Sequence, residues 1–351
     1  MRPRLPGHTS LIQYLKRIDE NRTYTNFGPL HSELEERLAT YFGVRVDEVL
    51  LLVNGTLALQ GAVAVASSSV EWVLPSWTFV ASAEAVTGAG RAVRFCDVER
   101  STWRMRFDPS TAHLPHMVVA PFGDSPRLEE IRRGIAGLPV ISDAASCFDS
   151  CRNLGSLSLS NSAVMVSLHA TKLVTTGEGG VLIGDSAWIA DIKRWGNFGF
   201  RGRRIADVRG TNAKMSEYSA AVGLASLDEW STNRARLASV AARYRRELLS
   251  IGISTQPSLE AGFVTSTLIG KFPDALSMRT ARTALHRELI ETRAWWSEGV
   301  HQMDSFVNCA RREELLVTKE LAETTLGLPF FVDMTDRQID RVVEVIAGAK
   351  G

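Results

Sequence analysis

Short apolar runs alternate with amphipathic stretches through the first half of the chain, the pattern imposed by parallel strands buried between helices. VLLLV (49–53) leads into the helical TLALQGAVAVA (56–66), EWVLPS (71–76) into TFVASAEAV (78–86), and RAVRFCDV (91–98) follows close behind. HMVVAPFG (116–123), PVISDAA (139–145), AVMVSLHA (163–170) and GGVLIGD (179–185) continue the strand series. PRLEEIRRGIAG (126–137) and SAWIADIKRWGN (186–197) are its further helices. From Lys214 a long helical segment, SEYSAAVGLASLDEWSTNRARLASVAARYRRELL (216–249), connects to a smaller, mixed remainder. There FVTSTLIGKF (263–272) and ETRAWW (291–296) read as strands, and SMRTARTALHRELI (277–290) and DRQIDRVVEVIAGA (336–349) as helices. The expected organisation is a large domain over 1–230, with an N-terminal arm, and a smaller one over 231–351; a chain of 351 residues exceeds one ordinary domain.

Charge narrows the possible partners. Lysine and arginine number 40 against 39 acidic residues, so the basic excess that drives binding to nucleic-acid phosphates is missing. No apolar run approaches the roughly 18 residues needed to cross a bilayer, and MRPRLPGHTSLIQYLKRIDE lacks the apolar core of a signal peptide. A soluble, cytoplasmic protein is expected. The four cysteines, Cys96, Cys147, Cys151 and Cys309, contain no C-x-x-C pair and make neither a disulfide framework nor a metal cluster.

Two strand ends carry polar residues that a purely structural strand does not need. Asn54-Gly55-Thr56 stands where a strand hands over to a helix; the glycine permits a tight turn and the first helical N–H groups stay free to hold an anion. Asp143 closes the strand PVISD. Each by itself is equally an ordinary turn or helix cap. Lys172, in SLHATKLVTTGEGG (167–180), links them. A lone loop lysine is ordinarily a solvated charge, but a desolvated amine forms a Schiff base with an aldehyde, and pyridoxal phosphate is the aldehyde such a site usually holds. That cofactor asks for a carboxylate at its ring nitrogen, an aromatic face and phosphate donors. Asp143, Trp77 in LPSWTF, and Gly55, Thr56 and Ser167 offer them in that order. Gly177, Gly179 and Gly180 suit a tight turn after the lysine that needs positive φ.

The ordered series NFGPLHSELEERLATYFGV, NGTLAL, PSWTF, DAAS, SLHATKLVTTGEGG, RWGNFGFRG and GTNAKMSEYSAAVGLASLD resembles the DegT/StrS family of sugar-nucleotide aminotransferases over nearly the whole chain. HATK followed by GEGG and then GTNAKMSE is the specific part of the match. LIETRAWWSEGVH (289–301) resembles the family's small-domain segment more loosely. The resemblance implies a fold-type I aminotransferase: a large α/β domain with a mostly parallel central sheet, and a smaller C-terminal α/β domain. It implies pyridoxal phosphate bound through Lys172, with Asp143 at the ring nitrogen, Trp77 stacked on the ring, and Gly55, Thr56 and Ser167 on the phosphate. Asn212 matches an asparagine that reaches the phosphate from the neighbouring subunit, so a homodimer is implied.

Three positions depart from the pattern. Ser146, a candidate cofactor contact through its shorter hydroxyl donor, stands where the family commonly has Gln or His near the cofactor's phenolic oxygen, Asp149 replaces a usual glycine, and Lys214 stands where many members have Arg. Lys214 is a candidate for the donor carboxylate, and Arg293 and His301 for the substrate pocket; a structural role is open to both of these. The implied reaction moves an amino group from L-glutamate to a nucleotide-linked keto-deoxysugar, at C4 of a dTDP-4-keto-6-deoxyhexose. A sugar dehydratase and a non-catalytic sugar-nucleotide-binding protein are the alternatives on this scaffold. The resembling dehydratases replace the lysine with His or add iron–sulfur cysteines, whereas Lys172 is present and clustered cysteines are not.

Overall fold

The computed structural model describes residues 2–66, 69–135, 137–156, 159–311 and 313–349. Helices α1 (His8–Asn21) and α2 (Pro29–Phe42) precede β1 (Val49–Leu52). The alternation then runs α3 (Gly55–Ala66), β2 (Glu71–Pro75), α4 (Val80–Gly88), β3 (Ala92–Cys96), β4 (His116–Val119), α5 (Leu128–Arg132), β5 (Val140–Asp143), β6 (Ser162–Ser167), β7 (Gly180–Gly184) and α6 (Ser186–Trp195). A 34-residue helix, α7 (Glu217–Ser250), leads to β8 (Ser254–Thr255), α8 (Pro257–Glu260), β9 (Leu268–Lys271), α9 (Ala275–Arg287), β10 (Ala310–Arg311), α10 (Leu316–Thr324), β11 (Thr325–Leu328) and α11 (Asp336–Gly348).

Eight strands form the large sheet in the order β1-β7-β6-β5-β4-β2-β3-β10, and three form a second, antiparallel sheet, β11-β9-β8. Within the large sheet β7 alone runs against its neighbours, β1 and β6; the other pairings are parallel. Successive strand residues enter opposite cores, as a period of two requires. Val49, Leu51, Val73, Val140, Val164, Val166, Val181 and Ile183 pack on the side of α2 and α7. Leu50, Leu52, Trp72, Leu74, Ile141, Ala163, Met165 and Leu182 pack on the side of α3, α4 and α6. Both faces are covered, which is why these strands read as continuous apolar runs.

The N-terminal helices are held by buried carboxylates. Glu217 accepts the N–H groups of Leu30 and His31, both at 2.8 Å, and so caps α2 from α7; a side chain at Gly28 would run into it. Along the sheet edge, Leu51 N–H donates to Glu35 Oε1 at 3.0 Å and His31 Nε2 donates to the Leu51 carbonyl at 3.4 Å. Side chains of α2 thus occupy backbone groups that an exposed edge would leave open.

The observed elements depart from the sequence reading in four places. The long helix is unbroken across position 230, so a domain boundary set there falls inside α7, and β10 carries the C-terminal part back to pair with β3. Of 263–272 only Leu268–Lys271 is strand, because the residues before it make side-chain bonds: Val264 N–H donates to Asp149 and Thr265 Oγ1 to the Thr267 carbonyl. Residues 291–296 form no strand; one bridge joins Arg293 to Gly327, a residue whose Cβ would strike the Trp295 indole. The helix expected over 126–137 stops at Arg132, with Ala136 outside the described residues. Among the described residues no helix is long and apolar enough to cross a membrane.

Burial raises Glu35 from the ordinary 4.5 to about 7, and lowers His31 from 6.5 to about 4. With a folded pKa above the unfolded one, Glu35 contributes stability that is full below about 4.5 and lost as pH rises through about 7. His31 shifts in the opposite sense and is common to the wild type and a Glu35 variant. Urea unfolding at pH 5 and pH 8 is therefore expected to show Glu35→Gln gaining about 2–3 kcal/mol on the wild type at the higher pH. Equal pH dependence in the two proteins would refute the assignment.

Candidate active site

Parallel pairing brings the C-terminal ends of β5 and β6 side by side, with Asp143 opposite Met165 and Ser167 just beyond. The chain then turns directly into antiparallel β7, so loop 168–179 lies over the strand ends with no crossover helix to carry it away. The loop is a net of local bonds. Lys172 N–H donates to the His169 carbonyl at 2.9 Å, Ala170 N–H to Gly177 at 2.7 Å, and Thr176 N–H to Leu168 at 2.8 Å; Ser226 of α7 meets Thr175 at 3.1 Å. The three glycines serve different needs. Gly177 has φ +83°, which favours glycine, whereas Gly179 and Gly180 lack room for a Cβ, which would strike Thr176 and the backbone of Gly55.

A cavity of about 400 Å³ opens at these strand ends, between them and the segments around Thr267 and Trp295. Lys172 and Asp143 both reach its wall, as do Asn54, Gly55, Thr56, Ser146 and Ser167. Lys172 Nζ donates to Ser146 Oγ at 3.0 Å. Burial pulls the lysine below its ordinary value, against the opposing pull of the Asp143 charge; burial pushes Asp143 up, against bonds from Ser82 and Ala145 and the Lys172 charge. Asp143 Oδ2 accepts from Ser82 Oγ at 2.6 Å and Oδ1 from Ala145 N–H at 3.1 Å, and Thr78 Oγ1 lies 2.8 Å from Ser82 Oγ. An amine able to lose its proton, as Schiff-base chemistry with an aldehyde requires, thus shares the cavity with a carboxylate held by two donors.

At the start of α3, Asn54 Oδ1 takes the N–H of Leu57 and the Asn54 carbonyl that of Ala58. The N–H groups before them, on Gly55 and Thr56, are those a bound phosphate can use. Ser167 Oγ, on the same wall, accepts from His169 N–H at 3.3 Å and keeps its own hydrogen to give.

Trp77 does not reach the cavity. It is 2% exposed, inside a cluster with Phe122 and Trp296 at centroid distances of 6.4 and 5.2 Å, whereas Phe79, two residues on, is 55% exposed and lies on the cavity wall. The chain bends at residues 76–78 after β2, with Thr78 N–H on the Ser76 carbonyl at 3.0 Å, and the two rings take different sides. The larger fills the core behind the wall, and Phe79 is the aromatic of PSWTF that the structure presents to the cavity.

The remaining candidates separate. Arg293 reaches the wall, with Trp295, Trp296 and Thr267. His301 is buried elsewhere: its Nδ1 bonds Ser76 Oγ at 2.6 Å and its N–H donates to the same oxygen at 3.1 Å, a structural role. Lys214 lies outside the wall as well, its backbone paired with Leu52 and its ammonium 4.4 Å from the Phe198 ring centre. Asn212 is exposed and paired with Asn197, outside the wall of its own chain's cavity. Asp149 is a buried anchor, bidentate to Arg234 of α7 and accepting Val264 N–H at 2.9 Å. Phe122, stacked on Trp296 at 3.9 Å, Thr78, Ser82 and Thr267 were missed in the sequence; nothing local distinguishes them from core residues.

The model of the DegT/DnrJ/EryC1/StrS aminotransferase family matches residues 7–347. The chain is 28% identical over 365 residues to the dTDP-4-amino-4,6-dideoxy-D-glucose transaminase of Shigella dysenteriae, covering 99% of this chain and 98% of that one. The crystal structure of DesI with its TDP-sugar product superposes with a TM-score of 0.87 at 30% identity, covering 99% of this chain and 91% of that one. A Bacillus cereus protein described as a PLP-dependent aminotransferase gives a TM-score of 0.88 at 26% identity, with 99% and 98% covered. The fold is that of these PLP-dependent aminotransferases.

The two rings of PSWTF are expected to fail differently. Phe79→Ala weakens retention of the cofactor about tenfold and leaves the denaturation midpoint nearly unchanged. Trp77→Ala, which empties a core site, costs about 3–5 kcal/mol of stability. Equilibrium dialysis and urea unfolding distinguish them, and the reverse pattern would return the stacking role to Trp77.

Proposed function

The chain belongs to the DegT/DnrJ/EryC1/StrS aminotransferase family, and from that premise we propose that it transfers an amino group from L-glutamate to C4 of a dTDP-linked 4-keto-6-deoxyhexose. Its activity is that of a sugar-nucleotide aminotransferase with pyridoxal phosphate as cofactor. One observation carries the reading: Lys172, desolvated, shares a cavity with buried Asp143 and with the free N–H groups that open α3. The finer assignment of nucleotide and carbon rests on the names of the Shigella relative and of the DesI structure.

The donor set fits the cofactor: an amine at Lys172, a carboxylate at Asp143, phosphate donors at Gly55, Thr56 and Ser167, and an aromatic face at Phe79. Bound there, pyridoxal phosphate supplies an aldehyde carbon for amine exchange and a ring that takes up the electron pair left when a Cα proton is removed. Asp143 keeps the ring nitrogen protonated, with Ser82 and Ala145 N–H fixing both carboxylate oxygens. Lys172 Nζ, once free and neutral, takes the donor's Cα proton and delivers it; in the second half-reaction it moves a proton the other way. Arg293, on the opposite wall, presents a cation to the anionic part of the substrates. Asn212, exposed and outside the wall of its own chain's cavity, completes the phosphate site of a second copy in a homodimer.

Adding L-glutamate to the PLP-loaded protein should convert the visible band of the lysine-linked cofactor to the pyridoxamine form, and Lys172→Ala should abolish the conversion. A dTDP-4-keto-6-deoxyhexose should then restore the band. A stable band untouched by glutamate would refute the donor, and no band would refute the site. Mixing Lys172→Ala and Asn212→Ala subunits, each inactive alone, is expected to recover about a quarter of wild-type activity, since half the dimers then hold one intact site. No recovery would place Asn212 outside the partner's site.

A further inference from the structure

Ser146 stands where the resemblance places a Gln or His beside the cofactor's phenolic oxygen, yet its hydroxyl is engaged by the lysine, Nζ to Oγ 3.0 Å. We infer that Ser146 is a positioning residue for the free amine of Lys172: a neutral rest that the amine occupies whenever it is not bonded to the cofactor, and from which it exchanges the substrate proton. This rests on reading the site as that of an aminotransferase.

The competing partner is Asp143, a carboxylate whose charge acts on Lys172. A lysine resting on a carboxylate is held as an ammonium, which has no lone pair with which to attack an aldehyde or take a proton. Here Ser82 Oγ and Ala145 N–H fix the orientation of the Asp143 carboxylate, which keeps acceptor capacity for the ring nitrogen, and the hydrogen bond of Lys172 is to Ser146. The amine goes instead to a hydroxyl, which accepts a hydrogen bond from an ammonium and donates one to a neutral amine, and so serves the lysine in both protonation states.

The rest is rigidly mounted. Ala145, before Ser146, is tied to Asp143; Cys147, after it, is fully buried, with its N–H on the Ala144 carbonyl at 2.9 Å and its thiol on Ala120 at 3.4 Å. Three residues on, Asp149 fastens the same loop to Arg234 and Val264. With the backbone fixed, a serine Oγ has three staggered positions, whereas a glutamine reaches farther and over more rotamers. The short residue therefore serves the lysine, the departure at Ser146 and the clamp at Asp149 belonging to one arrangement.

The test compares Ser146→Ala, Ser146→Thr and Ser146→Gln with the wild type by stopped-flow absorbance. Two rates are read: formation of the lysine-linked band when PLP is added to the cofactor-free protein, and loss of that band when glutamate is added to the loaded protein. Ser146→Ala should slow both about tenfold, as expected for one hydrogen bond at the reacting amine, while cofactor affinity and band position stay near wild type. Ser146→Thr should recover most of both rates and Ser146→Gln should not. If Ser146→Ala shifts the band and weakens the cofactor but forms the band at the wild-type rate, the hydroxyl serves the phenolic oxygen and the inference falls. Should the wild type form no band, or Lys172→Ala form one, the aminotransferase reading itself fails and takes this inference with it.

Discussion

Strand β7 pairs with β6 and β1 in the antiparallel sense, in a sheet whose other pairings are parallel. A parallel partner would need a crossover of a dozen or more residues, usually a helix, to return the chain to the opposite edge. The reversal lets the chain turn within loop 168–179, directly above the C-terminal ends of β5 and β6. Lys172 is thereby delivered within reach of Asp143 and Ser146, and β7 then passes close enough to α3 that Gly180 tolerates no side chain beside Gly55. Amine, carboxylate and phosphate donors come from three separate segments of the chain, and this one pairing assembles them.

The assembled groups oppose the preferences of a folded chain. Burial acts against the charge on Lys172 and on Asp143 alike, and each charge partly offsets the penalty of the other. Hydrogen bonds from Ser82 and Ala145 N–H stabilise the carboxylate form, while the hydroxyl of Ser146 occupies the amine without fixing its charge. The outcome is a lysine that gives up its proton more readily than a solvated one beside a carboxylate that holds its own position. Such departures from easy burial concentrate where chemistry is done.

Polar contacts behind the cavity wall also tie the later part of the chain to the large sheet. Asp97, at the end of β3, accepts the N–H groups of Val317 and Thr318, both at 2.8 Å, and so caps α10; Ser76 is tied to His301, and Asp149 to Arg234 and Val264. These contacts hold the segments bearing Thr267, Arg293, Trp295 and Trp296 against the strand ends. The site is shared between the large sheet and the chain that follows α7.

The sequence by itself determined the strand and helix alternation, the family, and the cavity-lining residues whose direction local chain geometry sets. Asn54-Gly55-Thr56 opens α3, Asp143 ends β5, and Ser167 and Lys172 follow from β6; for each, position in the element dictates which way the group faces. Choices between near-equivalent neighbours were left to the tertiary structure. Trp77 and Phe79 are both aromatic residues of one motif, and only the shape of the cluster around Phe122 and Trp296 sends the first inward. His301 and Arg293 lie in one block, yet a bond to Ser76 withdraws the first while the second stays on the wall. Ser146 and Asp149 read as departures from a pattern until Lys172, Arg234 and Val264 arrive from distant segments to meet them. Backbone periodicity is written into consecutive residues, whereas the partner of a buried polar group is decided by segments far away in the chain.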